Sequence, residues 1–79
     1  MATKADKEIE KLMQGIGKRM KELRKKKYSN GERFAYENDI NRVQYGRYEN
    51  GNDLRMSSFL KILKALKITP KEFFGEGFE

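Results

Sequence analysis

Ile9, Leu12, Met13, Ile16, Met20 and Leu23 follow one another at intervals of three and four residues, and that spacing restricts the fold more than any other feature of the chain. Apolar residues so placed share one side of an α-helix, so residues near 7 to 27 are expected to form one long helix with a single apolar stripe. Gly15 and Gly17 interrupt it. Each weakens a helix interior by about 1 kcal/mol relative to alanine, which predicts a looser or kinked first half.

The remaining elements are marked by their ends. In "YSNGERFAYEND" either Ser29, with Glu32 completing a capping box, or Asn30 can start a short second helix that carries Phe34 and Ala35. Asn38 and Asp39 tolerate the left-handed conformation and suit a tight turn leading to Ile40 and a new cap at Asn41. A third helix is expected from Arg42 to about Asn50, stopping at Gly51. At 100° per residue it puts Tyr45 and Tyr48 on one side, inward, and spreads Arg42, Val43, Gly46 and Arg47 over the other. After a loop from Asn52 to Arg55, Met56, Phe59, Leu60, Leu63 and Leu66 form a fourth helix, with a cap expected near Ser57. Thr69 caps a last helix with Pro70 in its first position, Glu72 closing a capping box and Ile68 stapling onto Phe73. Five helices and no strand make an all-α domain.

Composition narrows the chemistry. At 79 residues the chain makes one small domain that buries roughly 60% of the surface its unfolded form exposes. It has no cysteine and no histidine, which removes disulfides, the usual thiolate and imidazole metal ligands, and the commonest general base. No cofactor and no enzymatic activity are expected: there is no phosphate loop, no triad and no metal constellation. No signal peptide and no run of 18 apolar residues is present, so a soluble, cytoplasmic protein is expected, without a membrane partner. The net charge of +6 coincides with one stretch, "IGKRMKELRKKK" (16 to 27), whose seven basic residues and one acid equal the whole excess. A local field of this sign draws polyanions.

The order of these parts resembles the Cro and phage-repressor type of helix-turn-helix protein, the XRE family, over residues 16 to 74. The matching words are "IGKRMKELRKKK" for the first helix, "GERFA" for the scaffold helix, "DINRVQYGRYENG" for turn and recognition helix, and "FLKILKALKITPKEFF" for the close. The resemblance implies a five-helix, lambda-repressor-like domain with an extended N-terminal helix: residues 1 to 15 as the extension, 16 to 74 as the DNA-binding domain, and 75 to 79 as a tail. It implies sequence-specific binding of double-stranded DNA and a repressor-like role in transcription. In such proteins the second helix of the motif enters the major groove. Carried over, Arg42, Val43 and Arg47 face bases, with Gln44 at the margin, and Gly46 lets the backbone approach the groove. The phosphate contacts implied are Lys18, Arg19, Lys25, Lys26, Lys27, Asn30, Gly31, Asn41 and Arg55. Three positions depart from the pattern: Gly31 stands where the family commonly has glutamine, Asp39 where it has glycine, and Asn38 where it has an apolar residue.

Two partners besides DNA stay open. Phe73, Phe74 and Phe78 either finish the core or form a homodimer interface. The acidic turn at Glu37 and Asp39 favours the alternative function, a protein-interaction module such as an antitoxin or regulator partner with weak DNA binding.

Overall fold

The computed structural model describes residues 3 to 75 and residue 78, and among them there are five α-helices and no strand. Residues 1, 2, 76, 77 and 79, which belong to the expected extension and tail, lie outside the described residues. Helix α1, Lys4–Lys25, starts earlier than the apolar stripe alone suggests. Thr3 accepts from the Asp6 backbone N–H at 3.1 Å, and the Asp6 carboxylate accepts from the Thr3 N–H at 3.0 Å. Aspartate thus closes the reciprocal cap that glutamate usually closes.

Gly15 and Gly17 do not interrupt the helix: α1 is continuous through both. Packing overrides intrinsic propensity here. Gly17 is buried, and a Cβ on it would lie 2.5 Å from the Tyr48 carbonyl oxygen and 2.7 Å from that of Glu49. The glycine is where two helix backbones cross.

Of the two candidate caps for α2, Gly31–Glu37, the molecule uses Asn30, whose side-chain oxygen accepts from the N–H groups of Glu32 (2.8 Å) and Arg33 (3.3 Å). The turn that follows is held from three directions. Asn38 donates its side-chain amide to Phe34 O at 2.8 Å, and the Ile40 N–H donates to Ala35 O at 2.8 Å. Asp39 takes a left-handed φ of 57°, and its carbonyl accepts from Lys61 Nζ at 2.6 Å. Asn41 then caps α3, Arg42–Glu49, by accepting from the Gln44 N–H at 3.0 Å.

Helix α4, Met56–Leu66, begins without the cap expected near Ser57: Arg55 precedes it, and no side chain caps the first turn. The short α5, Pro70–Phe73, carries the expected Thr69–Glu72 capping box. Met20, Phe34, Ala35, Tyr45, Tyr48, Phe59, Ile62, Leu63, Leu66 and Phe73 form the core. Two aromatic groups anchor it. Phe34 lies between Tyr28 and Tyr45, with ring centres 5.2 and 5.1 Å away, while Phe73 meets Phe59 and Phe74 at 5.0 Å and Phe78 at 6.0 Å. Phe73 therefore finishes the core, Phe78 is half-buried beside it, and Phe74 stays exposed.

Candidate functional site

The inward side of α3 is fixed by burial. Tyr45 is 1% and Tyr48 8% exposed, and both belong to the core. The other side carries Arg42, Val43, Gln44, Gly46, Arg47 and, at the cap, Asn50, all exposed. Val43, at 67%, is an apolar side chain that the domain itself leaves uncovered. Among the described residues, neither the Arg42 nor the Arg47 guanidinium has a hydrogen-bond or ion-pair partner. Between them, a Cβ on Gly46 would meet nothing within 4 Å. Nothing inside the molecule requires that glycine.

What holds α3 in place lies beneath this face. Arg24, 4% exposed, grips Glu49 with two bonds of 3.0 Å and gives a third, also 3.0 Å, to Tyr28 O. A paired, parallel geometry of this kind fixes orientation as well as distance. Hydrogen bonding to the Glu49 carboxylate raises the Arg24 pKa. Burial pushes the Tyr45 hydroxyl up, and the neighbouring Glu49 carboxylate acts in the same direction, so this ring is a neutral floor under the charged pair. Removing one member of such a buried pair leaves the other uncompensated, which costs about 3 to 5 kcal/mol.

In front of this support lies a shallow cleft of about 620 Å³, lined by α1 (Lys21, Arg24), the start of α2 (Asn30, Gly31) and the outer side of α3 (Arg42, Arg47), with Asn50 at its end. A Cβ on Gly31 would sit 3.5 Å from Arg24 Nη2, an ordinary contact, so packing does not demand glycine at the position where the resembled family has glutamine. A second hollow, on the other flank of α3, brings Gln44 together with Arg55 and Ser58. Gln44 Oε1 accepts from the Tyr48 hydroxyl at 2.8 Å, which leaves its NH₂ as the group turned outward. Asn41, beside Arg42, lines a third hollow with Tyr36 and Asp39. Tyr36 is 74% exposed.

The basic run of α1 does not act as one surface. Arg19 donates from Nε to Phe73 O (3.1 Å) and from Nη2 to Glu72 O (3.2 Å), and Lys27 donates to Leu66 O at 2.8 Å. These carbonyls belong to the last residues of α5 and α4, so two cations of the run serve as helix caps. Lys26 lines a hollow with Leu66, Ile68 and Glu72 on that same side. Arg19, Lys26 and Lys27 thus lie toward α4 and α5, on a different side of α1 from the outer side of α3. Lys21, which the sequence reading passed over, faces the α3 cleft instead. Lys18 and Lys25 are exposed within about 60° of it on the helix wheel. A readable signal for Lys21 existed: Gly17, Lys21 and Arg24 share one side of α1 at intervals of four and three. Asn50 was likewise overlooked, although it stands seven residues after Val43 and so returns to the same side of α3.

The assembled face thus presents two exposed guanidiniums, an amide donor, an ammonium and one uncovered valine around a bare stretch of backbone. Such a set can donate paired hydrogen bonds to planar acceptors and neutralise anions. Among the described residues no helix is long and apolar enough to cross a membrane. No family model, curated protein or solved structure matches the chain.

Proposed function

We propose that this protein is a helix-turn-helix regulator of transcription that binds double-stranded DNA in a sequence-specific manner, with α3 as the helix that enters the major groove. One observation carries the reading: Arg42 and Arg47, whose guanidiniums have no partner among the described residues, flank the open Gly46 on the outer side of a helix pinned from below. A charged side that merely keeps a protein soluble has no need of an uncovered β-branched residue and a helix-weakening glycine at its centre. A groove-reading side uses both, the valine against a thymine methyl and the glycine for close approach.

The roles follow from the chemistry. Arg42 and Arg47 each suit the O6 and N7 of a guanine, for roughly 1 to 3 kcal/mol of discrimination apiece. Gln44 offers its NH₂ to an acceptor at the margin. Lys21, Lys18 and Lys25 supply phosphate contacts from α1, the start of α2 at Asn30 and Gly31 approaches one strand, and Asn41 and Arg55 stand at the ends of α3. Repression is the simplest consequence of occupying a site in this way.

Selection of bound duplexes from a random pool, followed by titration of the enriched site at several salt concentrations, tests the proposal. The expected slope is about −0.9 in log affinity against log salt for each phosphate neutralised. Arg47→Ala is expected to relax preference at one base position by roughly 1 to 3 kcal/mol. Gly46→Ala is the sharper variant: it is expected to stabilise the free protein by up to about 1 kcal/mol and yet weaken binding to the selected site. An unenriched pool, or affinity indifferent to salt, overturns the reading.

A further inference from the structure

Tyr48 belongs to the core and yet reaches the outer side of α3. The residue is 8% exposed, it lines the hollow that Gln44 shares with Arg55 and Ser58, and its hydroxyl donates to Gln44 Oε1 at 2.8 Å. The backbone of Gln44 is fixed as well, since its N–H donates to the Asn41 side chain at 3.0 Å. An exposed glutamine is thus anchored at both ends. A glutamine on a helix surface ordinarily turns freely and can offer either its carbonyl or its NH₂.

The sense of the bond follows from the two partners. A phenolic hydroxyl that donates to the carbonyl satisfies its one proton and leaves both amide protons for the outside. In the reverse sense, with the NH₂ donating to the phenol oxygen, the hydroxyl proton would need an acceptor elsewhere. Among the described residues the Tyr48 hydroxyl has no other hydrogen bond.

We propose that Tyr48 is a positioning residue for base selection: its hydroxyl holds the Gln44 amide with the NH₂ outward, so the base that meets Gln44 has to offer an acceptor, and cytosine is rejected there. This rests on the reading of α3 as the helix that enters the major groove. In that groove guanine (N7, O6), adenine (N7) and thymine (O4) each present an acceptor, whereas cytosine presents only its N4 amino donor. Two donors face to face leave both unpaired in a contact from which water is expelled. An amide free to turn would answer cytosine with its oxygen, and the bond from Tyr48 opposes that turn.

Tyr48→Phe removes the hydroxyl and keeps the ring in the core. In the free protein the side-chain amide of Gln44 is expected to be ordered on the ps–ns timescale, read by ¹⁵N relaxation, and to lose that order in Tyr48→Phe. Selection from random duplexes then locates the base position at which Gln44→Ala differs from wild type. There the wild type is expected to disfavour cytosine, and Tyr48→Phe to relax the discrimination about three- to tenfold, the span of one hydrogen bond. Gln44→Glu keeps an acceptor for Tyr48 but has no NH₂, and is expected to turn the preference toward cytosine. Positions that respond to Arg42→Ala or Arg47→Ala keep their preference in Tyr48→Phe, which a general loosening of α3 would not allow. A Gln44 amide equally mobile in wild type and Tyr48→Phe overturns the proposal without reference to DNA. So does an enriched site whose cytosine discrimination is the same with and without the hydroxyl. A pool without enrichment defeats the DNA reading itself, and the base preference falls with it.

Discussion

The first three turns of α1 and the last three are written with the same apolar repeat and meet opposite fates. Met20 is fully buried and Gly17 is crossed by the end of α3, whereas Ile9 and Leu12 are more than half exposed and a Cβ on Gly15 would meet Phe78 at 3.6 Å. The repeat states which side of a helix is apolar. What covers that side depends on where the other elements reach, and among the described residues the loop at Gly51 reaches as far as Gln14, against which it lies.

Paired substitutions break the comparison most directly. Met20→Ala is expected to lower stability by roughly 2 to 5 kcal/mol, while Leu12→Ala stays within about 0.5 kcal/mol, both read from urea unfolding at concentrations low enough to exclude association. Equal losses would mean that the extension is covered after all. The two glycines give the next largest contrast. A methyl group on Gly17 has to push apart the backbones of α1 and α3, at about 1 to 3 kcal/mol, but on Gly15 it meets Phe78 at an ordinary 3.6 Å and should add up to about 1 kcal/mol of stability. Opposite signs from glycines two positions apart are the outcome to look for.

The smallest expected effect sharpens the contrast between the two sides of α1's second half. Lys21→Ala is expected to make the salt slope of DNA binding shallower by about 0.9, whereas Lys26→Ala leaves it unchanged, with neither variant altering the melting temperature appreciably. A slope that responded to Lys26 instead would put the nucleic acid on the α4–α5 side.

Much of the architecture was legible because its signals are local. The Thr69–Glu72 box, the turn at Asn38 and Asp39, the cap at Asn41 and the inward tyrosines each need only a few neighbouring residues. What sequence misjudged depends on partners distant along the chain. The continuity of α1 at Gly17 is set by carbonyls at Tyr48 and Glu49, and the fates of Arg19 and Lys27 by helix ends more than 35 residues away. Counting charge located the basic segment; only the fold sorted Lys21 to one side and Lys26 to the other. Arg24, which entered there only as one of seven basic residues, is the buried member of the pair that seats α3.

The joint between α2 and α3 has a further consequence. Its left-handed residue is an aspartate, not a glycine, and its carbonyl is held from α4 by Lys61. A non-glycine residue in that conformation is retained because its surroundings over-determine it. The angle between the two short helices is therefore a property of the whole domain and not of the four residues that connect them. Excised as a synthetic peptide, residues 30 to 51 would lose the bend.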